Sequence, residues 1–401
     1  MKLPHGLHLT YCTNVHRGES WAEIFAALRT HTRAVRERVA PGAPFGIGLR
    51  LGARAVAELN DPKARREFRR WLDAHQAYVF TLNGFPYGPF HGAPVKEAVY
   101  RPDWTAPERV AYTQRLFELL AEWLPPQLEG SVSTLPGSFK GFKTDAAAQQ
   151  RIRAHLWQCV EHIARLSERT GRRLSLALEP EPLCLLETSA ETARFFEQMR
   201  DEHPNDPRLT EHLRVCYDTC HFAVEFESPA GARATLGAHG IRLGKIQLSN
   251  ALRLRPTPEA RAALEAFADG VYLHQVVVRR PDGQLVRYGD LPEALRAEAA
   301  ADVSGCDGVE SGPEDGPEWR VHFHVPLHQP PTPLFGNTAS HLEAMLDALQ
   351  ADPTLCAHLE IETYTWEVLP PELKTDDVTE QIAGEFDWVL GRLRERGLAP
   401  A

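Results

Sequence analysis

The chain alternates short, almost continuously apolar runs with longer amphipathic ones. Nine runs read as strands: 7–15 (LHLTYCTNV), 45–51, 78–83, 131–135, 174–179, 215–218, 245–249, 321–325 and 358–362. Apolar character at nearly every position, rather than at alternate ones, is what strands covered on both faces show. Between them, apolar positions recur at helical spacing over 20–38, 62–75, 107–123, 145–170, 189–200, 258–267, 339–350 and 376–396. Several of these segments open on start signals. Ser20 precedes an amphipathic run, Thr105-Ala106-Pro107 offers a capping hydroxyl ahead of an early proline, and Ser189 has Glu191 nearby. Strand and helix alternating along the whole chain predict a parallel α/β sheet.

Nine strands are one more than a closed eight-stranded barrel uses, and the excess lies just before the last strand. Two further runs, 275–279 and 284–288, flank Arg280-Pro281-Asp282-Gly283. Asp-Gly between alternating runs is a strong hairpin signal. The pattern therefore predicts one TIM (β/α)8 barrel domain over 1–401, with an insertion at about 268–334. That insertion adds a hairpin and an extra strand between the seventh and eighth barrel strands. Its acidic, Gly-rich stretch 302–318 reads as a mobile surface loop.

Composition narrows the class. The 401 residues carry 44 basic and 54 acidic side chains, a net charge of −10, which argues against a general nucleic-acid binder. No window approaches the roughly 18 consecutive apolar residues of a membrane helix, so no membrane insertion is expected. Met1-Lys2-Leu3-Pro4-His5-Gly6 does not lead an apolar run to a cleavage site, and the expected location is the cytoplasm. The seven cysteines are odd in number and thinly spread, which fits free thiols in a reducing compartment. Cys216 and Cys220 read as small buried residues.

The chemistry concentrates where strands end. In a parallel barrel the active site forms at the C-terminal ends of the strands. Leu176-Ala177-Leu178 runs into Glu179, with Glu181 two residues on. Val215-Cys216-Tyr217 runs into Asp218, with His221 after it. Lys245-Ile246 runs into Gln247, and His358-Leu359-Glu360-Ile361 ends at Glu362. Each alone reads equally as a cap or a solvated residue. Four converging on one mouth suit a divalent cation such as Mn²⁺, Mg²⁺, Co²⁺ or Zn²⁺. Glu362 is preferred to Glu360 because it ends the strand, and Glu181 rivals Glu179 if that strand runs further. Two glutamates across one cation also form a proton-transfer pair for a sugar-like substrate.

A second signal is His322-Phe323-His324 in the insertion. On a strand, His322 and His324 share a face and could share a metal or a phosphate, or simply look outward. The third strand runs into Asn83-Gly84-Phe85-Pro86-Tyr87-Gly88-Pro89-Phe90-His91, an ordered loop over the mouth. There Asn83, Tyr87, Phe90 and Trp104 are candidates for substrate contact, and His91 could reach the site. Thr134, Ser138 and Lys140 are weaker candidates for an anionic group. The sequence lacks GxSxG, GxxxxGK[ST] and HExxH.

With Leu178-Glu179-Pro180, Asp218-x-x-His221, Ile246-Gln247-Leu248 and a terminal strand Glu on the page, the chain resembles the xylose-isomerase-like TIM barrels. That superfamily includes sugar isomerases, epimerases and endonuclease IV. The resemblance implies a metal held by Glu179, Asp218, Gln247 and Glu362, with Glu179 and Glu362 moving protons. It also implies that His221 contacts substrate or a second metal. YCTNVHRGESW, TLNGFPYGPFHG, LALEPEP, CYDTCHFAVEFE and HLEIETYTW look like EboE-type proteins, which implies a metabolite-trafficking context with transport-pathway protein partners. The long insertion with His322-x-His324 departs from the superfamily's acidic pair at that place, so xylose isomerisation does not transfer directly. Three expectations follow. The first is a metal-dependent isomerase or epimerase of a small polyhydroxy or keto metabolite. The second is a multinuclear phosphoester hydrolase that adds His91, His221, His322 and His324. The third is a non-catalytic metabolite-binding barrel serving a transport partner.

Overall fold

The computed structural model describes residues 1–92, 94–303 and 316–400. Eight parallel strands form one sheet. Seven are β1 (His8–Tyr11), β2 (Phe45–Arg50), β3 (Ala77–Asn83), β4 (Glu129–Thr134), β5 (Arg173–Leu178), β6 (Leu213–Asp218) and β7 (Leu243–Leu248). The eighth is the last strand of the chain, β13 (His358–Ile361), which lies between β7 and β1. Every barrel strand therefore neighbours the next barrel strand in sequence, the order of a TIM barrel. The ring closes at β1 and β2 through a single parallel bridge, Cys12 to Gly48. Thr10 completes that seam. Its hydroxyl donates to the Gly46 carbonyl at 2.8 Å and accepts from the Gly48 N–H at 2.9 Å. Gly48 has no room for a side chain: a Cβ there would sit 2.7 Å from the Tyr11 carbonyl oxygen and 2.0 Å from the Glu360 carboxylate.

Residues of β2, β6 and β7 are buried on both faces, as near-continuous apolar runs require. The first run is shorter than expected. β1 stops at Tyr11, and the 3-10 turn Thr13–Val15 carries Asn14 to the barrel mouth. The helices between strands begin at caps written into the sequence. Ser20 and Glu23 form a reciprocal capping box, and Asp145 accepts from the Ala148 N–H at 2.7 Å. Two start signals are corrected. Ala106, not the Thr105 hydroxyl, occupies the cap of Pro107–Trp123, because Thr105 turns its hydroxyl to Asp103. Thr188, not Ser189, caps Ser189–Glu202, since its hydroxyl meets the Glu191 N–H.

A second, antiparallel sheet sits on the barrel. It comprises β8 (Asn250–Leu254), β9 (Val276–Arg279), β10 (Leu285–Tyr288), β11 (Glu318–Val325) and β12 (Gly336–Asn337), ordered β10-β9-β11-β8-β12. It begins at Asn250, well before the expected start at about 268, and its last strand ends at Asn337. The chain passes from β7 to β8 with only Ser249 between them, and this short link kept β8 from being read as a separate strand. Leu252, Leu254, Val276, Trp319, Val321 and Phe323 form a core of their own. The register between β11 and β8 slips between Val321 and His324, a bulge in the strand that carries both candidate imidazoles. Most of the expected loop at 302–318, together with Cys306, lies outside the described residues. The other six cysteines are free and buried. Among the described residues no helix is long and apolar enough to cross a membrane.

Candidate metal centre

Strand register brings the acidic residues together. Asp218 on β6 stands beside Gln247 on β7, and Gln247 stands beside Glu360 on β13. Glu362 follows one pleat nearer the mouth, and Glu179 leaves the end of β5 with its N–H on the Thr134 carbonyl at 3.0 Å. Carboxylate oxygens of Glu179, Asp218 and Glu362 lie within 4.8 Å of one another, all three residues buried. Glu360 is placed deeper. Its Oε2 takes the Lys245 ammonium at 2.8 Å inside the barrel, where both side chains are fully buried. Glu181 is held aside by the Tyr100 hydroxyl at 2.7 Å and the Gln275 amide at 3.0 Å.

These acids are incompletely satisfied. Glu179 Oε2 and Asp218 Oδ2 are buried without a hydrogen-bond partner, and so is Gln247 Nε2. A bare buried polar atom costs about 1–3 kcal/mol, and more when charged. The other Asp218 oxygen is fully used: it accepts from Ser249 Oγ at 2.6 Å, the Cys220 N–H at 2.7 Å and the His221 N–H at 3.1 Å. One oxygen thus caps the turn while the other points free. Asn14 and Asn83 both donate to Glu362 Oε1, at 2.9 and 3.1 Å, and fix that carboxylate. Burial raises Glu179 to a pKa of about 8, with Asp218 and Glu181 adding to the rise. Burial also lifts Glu362 well above the usual carboxylate range, helped by Glu179 and Asp218. Asp218 goes the other way: burial opposes its charge, but His221 and His324 outweigh it and lower the pKa.

The imidazoles fall into two further groupings, Asp218 with His221 and His324, and Cys220 with His322 and His324. His221 donates Nδ1–H to the Pro180 carbonyl at 2.9 Å, and His324 donates Nδ1–H to the Glu362 carbonyl at 2.7 Å. A carbonyl can only accept, so both tautomers are set. His322 Nδ1 lies 2.8 Å from Gln275 Oε1, whose amide nitrogen is already committed to Glu181 and Tyr100. The three Nε2 atoms face one another. They converge: His221 to His322 at 3.1 Å, and His322 to His324 at 3.2 Å. Burial opposes charge on His221, but Asp218, Glu181 and Glu179 outweigh it and raise its pKa, which favours an Nε2–H directed at His322. A cation bound at 2.0–2.1 Å in tetrahedral geometry sets its nitrogen ligands about 3.3 Å apart. His221 Nε2 is also 3.9 Å from Asp218 Oδ2. Burial drives His322 well below its ordinary pKa and His324 to about 4, which favours the neutral ligand form. The orphaned carboxylate oxygens and convergent imidazoles therefore fit divalent cations. Glu179, Asp218 and Glu362 would hold one, beside Gln247, whose oxygen accepts from the Cys216 thiol at 3.1 Å; His324 would hold another with Asp218 and His221 or with Cys220 and His322.

Other candidates are placed elsewhere. His91 is held between the Asn14 carbonyl and the Tyr272 hydroxyl, with both ring nitrogens occupied outside the imidazole grouping. Trp104 is fully buried with its indole N–H on the Leu135 carbonyl, and Tyr87 packs on Tyr112 and Arg109; neither lines the pocket over the site. Their aromatic surface is consumed holding the loop to the barrel. Phe90 does line that pocket, beside Tyr272 and Tyr364, and Asn83 lies at its floor. Lys140 is paired with Glu187 and Glu191, and Ser138 with Asp103, so neither is free for an anion. Sequence reasoning missed Gln275, and read Cys220 only as a small buried residue. Cys220 Sγ falls within 4.8 Å of the His322 and His324 nitrogens, and its place beside Asp218 in the sequence was the available signal. Nothing in the local sequence marks Gln275.

No protein-family model matches the chain, and no curated protein matches it. Solved structures do. The probable 3-DHS dehydratase AsbF from Bacillus anthracis, involved in petrobactin synthesis, is 12% identical over 96% of this chain and 98% of its own, with a TM-score of 0.48. A xylose isomerase domain protein from Planctomyces limnophilus is 13% identical over 87% and 89%, with a TM-score of 0.47. An L-ribulose 3-epimerase is 12% identical over 100% and 99%, with a TM-score of 0.45. The assignment of a TIM barrel rests on the strand order described above.

Proposed function

We propose that the chain is a divalent-metal-dependent enzyme of the isomerase or epimerase type, acting on a small hydroxy- or keto-bearing metabolite. The observation that carries this reading is the buried ring of Glu179, Asp218 and Glu362, with bare oxygens on the first two. A bound cation would polarise a substrate oxygen and so acidify the neighbouring carbon–hydrogen bond. Glu179 takes the proton from that carbon. Glu362 serves the opposite side, oriented by Asn14 and Asn83. His221 and His322 line the same pocket and bind the substrate end next to the second cation position.

The converging imidazoles favour a second reading, a multinuclear phosphoester hydrolase. The pocket wall argues against it. Lys96 is its cation, and that ammonium is already paired with Asp290 at 2.8 Å. A metabolite-binding role beside a transport partner, in the EboE-like context, and a cytoplasmic setting belong to the same proposal. They predict an intact pocket whether or not turnover occurs.

The deciding experiment is elemental mass spectrometry of protein purified without added metal or chelator, followed by a screen of keto sugars and of alkyl- and aryl-substituted hydroxy ketones with solvent-deuterium exchange. Metal that disappears in Glu179→Ala, with deuterium entering a substrate carbon, supports the isomerase reading. Metal without exchange, but with phosphoester turnover, supports the hydrolase. A chain that binds no metal after reconstitution refutes both.

A further inference from the structure

The pocket above the metal centre changes character with height. Its cavity volume is about 60 Å³, and it opens to solvent. The floor is polar and charged: Glu179, Glu181, Glu362, His221, His322 and Asn14. The wall above it is carbon, supplied by Phe85, Phe90, Val95, Val99, Leu273 and Tyr364.

Most of the other polar groups that line or flank the pocket are already engaged. Lys96 has three ammonium protons and three acceptors: Tyr272 O at 2.7 Å, Asp290 Oδ2 at 2.8 Å and Asp269 O at 3.2 Å. The Tyr272 hydroxyl is bonded to His91 Nδ1 at 2.9 Å. The Tyr100 hydroxyl donates to Glu181. Asn83 gives its amide protons to Glu362 and the Cys12 sulfur, and its oxygen accepts from the Phe85 N–H. Of these walls, the Tyr364 hydroxyl alone has no hydrogen bond among the described residues. A free pentose or hexose with its reacting carbons at the floor would raise several hydroxyls into this zone. Each hydroxyl buried without a partner weakens binding by about tenfold. An apolar substituent there gains affinity with every carbon it buries.

Resting on the isomerase-type reading above, we propose that the substrate is amphiphilic. It has a short hydroxy- or keto-bearing head, bound at the floor, and an apolar aliphatic or aryl tail lying against Phe90, Val95, Val99 and Leu273. An unsubstituted sugar is a poor ligand.

The test uses two hydroxamates of equal chain length, butanohydroxamate and 2,3,4-trihydroxybutanohydroxamate. Both carry the same bidentate oxygen chelator and differ only in the tail. Binding to the metal-loaded full chain is measured by calorimetry, with hexanohydroxamate as an extension. Butanohydroxamate is expected to bind at least tenfold tighter than its trihydroxy partner, and hexanohydroxamate tighter again. Val99→Asp and, independently, Leu273→Gln should shrink that preference to less than threefold while metal content and melting temperature stay unchanged. Equal affinities, a preference for the trihydroxy probe, or no binding of either probe to metal-loaded protein overturns the amphiphilic substrate. Bound metal with a flat series refutes this inference alone, whereas a chain that takes up no metal refutes the parent reading and this one together.

Discussion

The carboxylate half of the site and its imidazole half are built by different means. Glu179, Asp218, Gln247 and Glu362 stand at or just beyond the ends of barrel strands, and strand pairing sets their spacing. His322 and His324 stand on β11 of the second sheet, which reaches the mouth only because that sheet folds over the barrel. The barrel half is left with bare oxygens and raised glutamate pKa values. The imidazole half has every Nδ1 hydrogen-bonded and its Nε2 atoms turned towards one another. A scaffold of strand ends thus supplies the carboxylates and His221, and an added sheet supplies the neutral His322 and His324. Asp218 is the residue the two halves share.

That shared position gives the largest expected effect. Asp218→Ala should strip metal from both positions and abolish turnover, read by elemental mass spectrometry beside an activity assay; retention of the full metal complement would separate the halves. Next is Glu179→Gln, which keeps an oxygen ligand but cannot carry the proton. Turnover should fall by about 10²–10⁴, with the metal bound at the imidazoles retained. His322→Ala should do the reverse, removing metal from the imidazole half and leaving that held by the carboxylates. A smaller effect is expected from Gln275→Ala. Losing the acceptor of His322 Nδ1–H should weaken metal binding at the imidazole half by about 10–100-fold, measured by competition with a chromogenic chelator.

The smallest effect on the site concerns the tie between the halves. Glu385 accepts from the Leu327 N–H at 3.1 Å, just past β11, and from Thr363 Oγ1 at 2.6 Å, just past Glu362. Burial raises its pKa from 4.5 to about 7. The folded state then holds a proton that the unfolded state releases. Its contribution is therefore complete below about pH 4.5 and is lost as pH rises through about 7, an amount of about 3 kcal/mol. Urea unfolding of the wild type should lose stability across that window relative to Glu385→Gln. Parallel curves for the two proteins would mean that Glu385 does not titrate there.

Much of the barrel was legible because burial on both faces writes itself into sequence. Runs such as 45–51 and 174–179 have no polar face to offer, and a parallel sheet is the fold that uses them. β8 was not legible. Its five residues follow β7 with only Ser249 between, so one apolar stretch contains strands of two sheets. The glutamates were found because they end strands, but the choice between Glu360 and Glu362 turned on Lys245. A buried ammonium at 2.8 Å claims Glu360 for the barrel interior. Likewise, Tyr100 and Gln275, distant in sequence, draw Glu181 aside.

The amino-acid sequence by itself determined the alternation of strands and helices, the strand ends that carry acids, and the common face of His322 and His324. These follow from local periodicity, which a chain carries without knowing its partners. Tertiary structure alone decided that His221 meets His322 across a separation of 101 residues, that His91 and Trp104 serve the loop rather than the site, and that the pocket wall is apolar. The physical reason is that a side chain's role at the mouth depends on which of its polar atoms are already bonded. Those partners come from other strands and from the second sheet, at distances in sequence that no local pattern records.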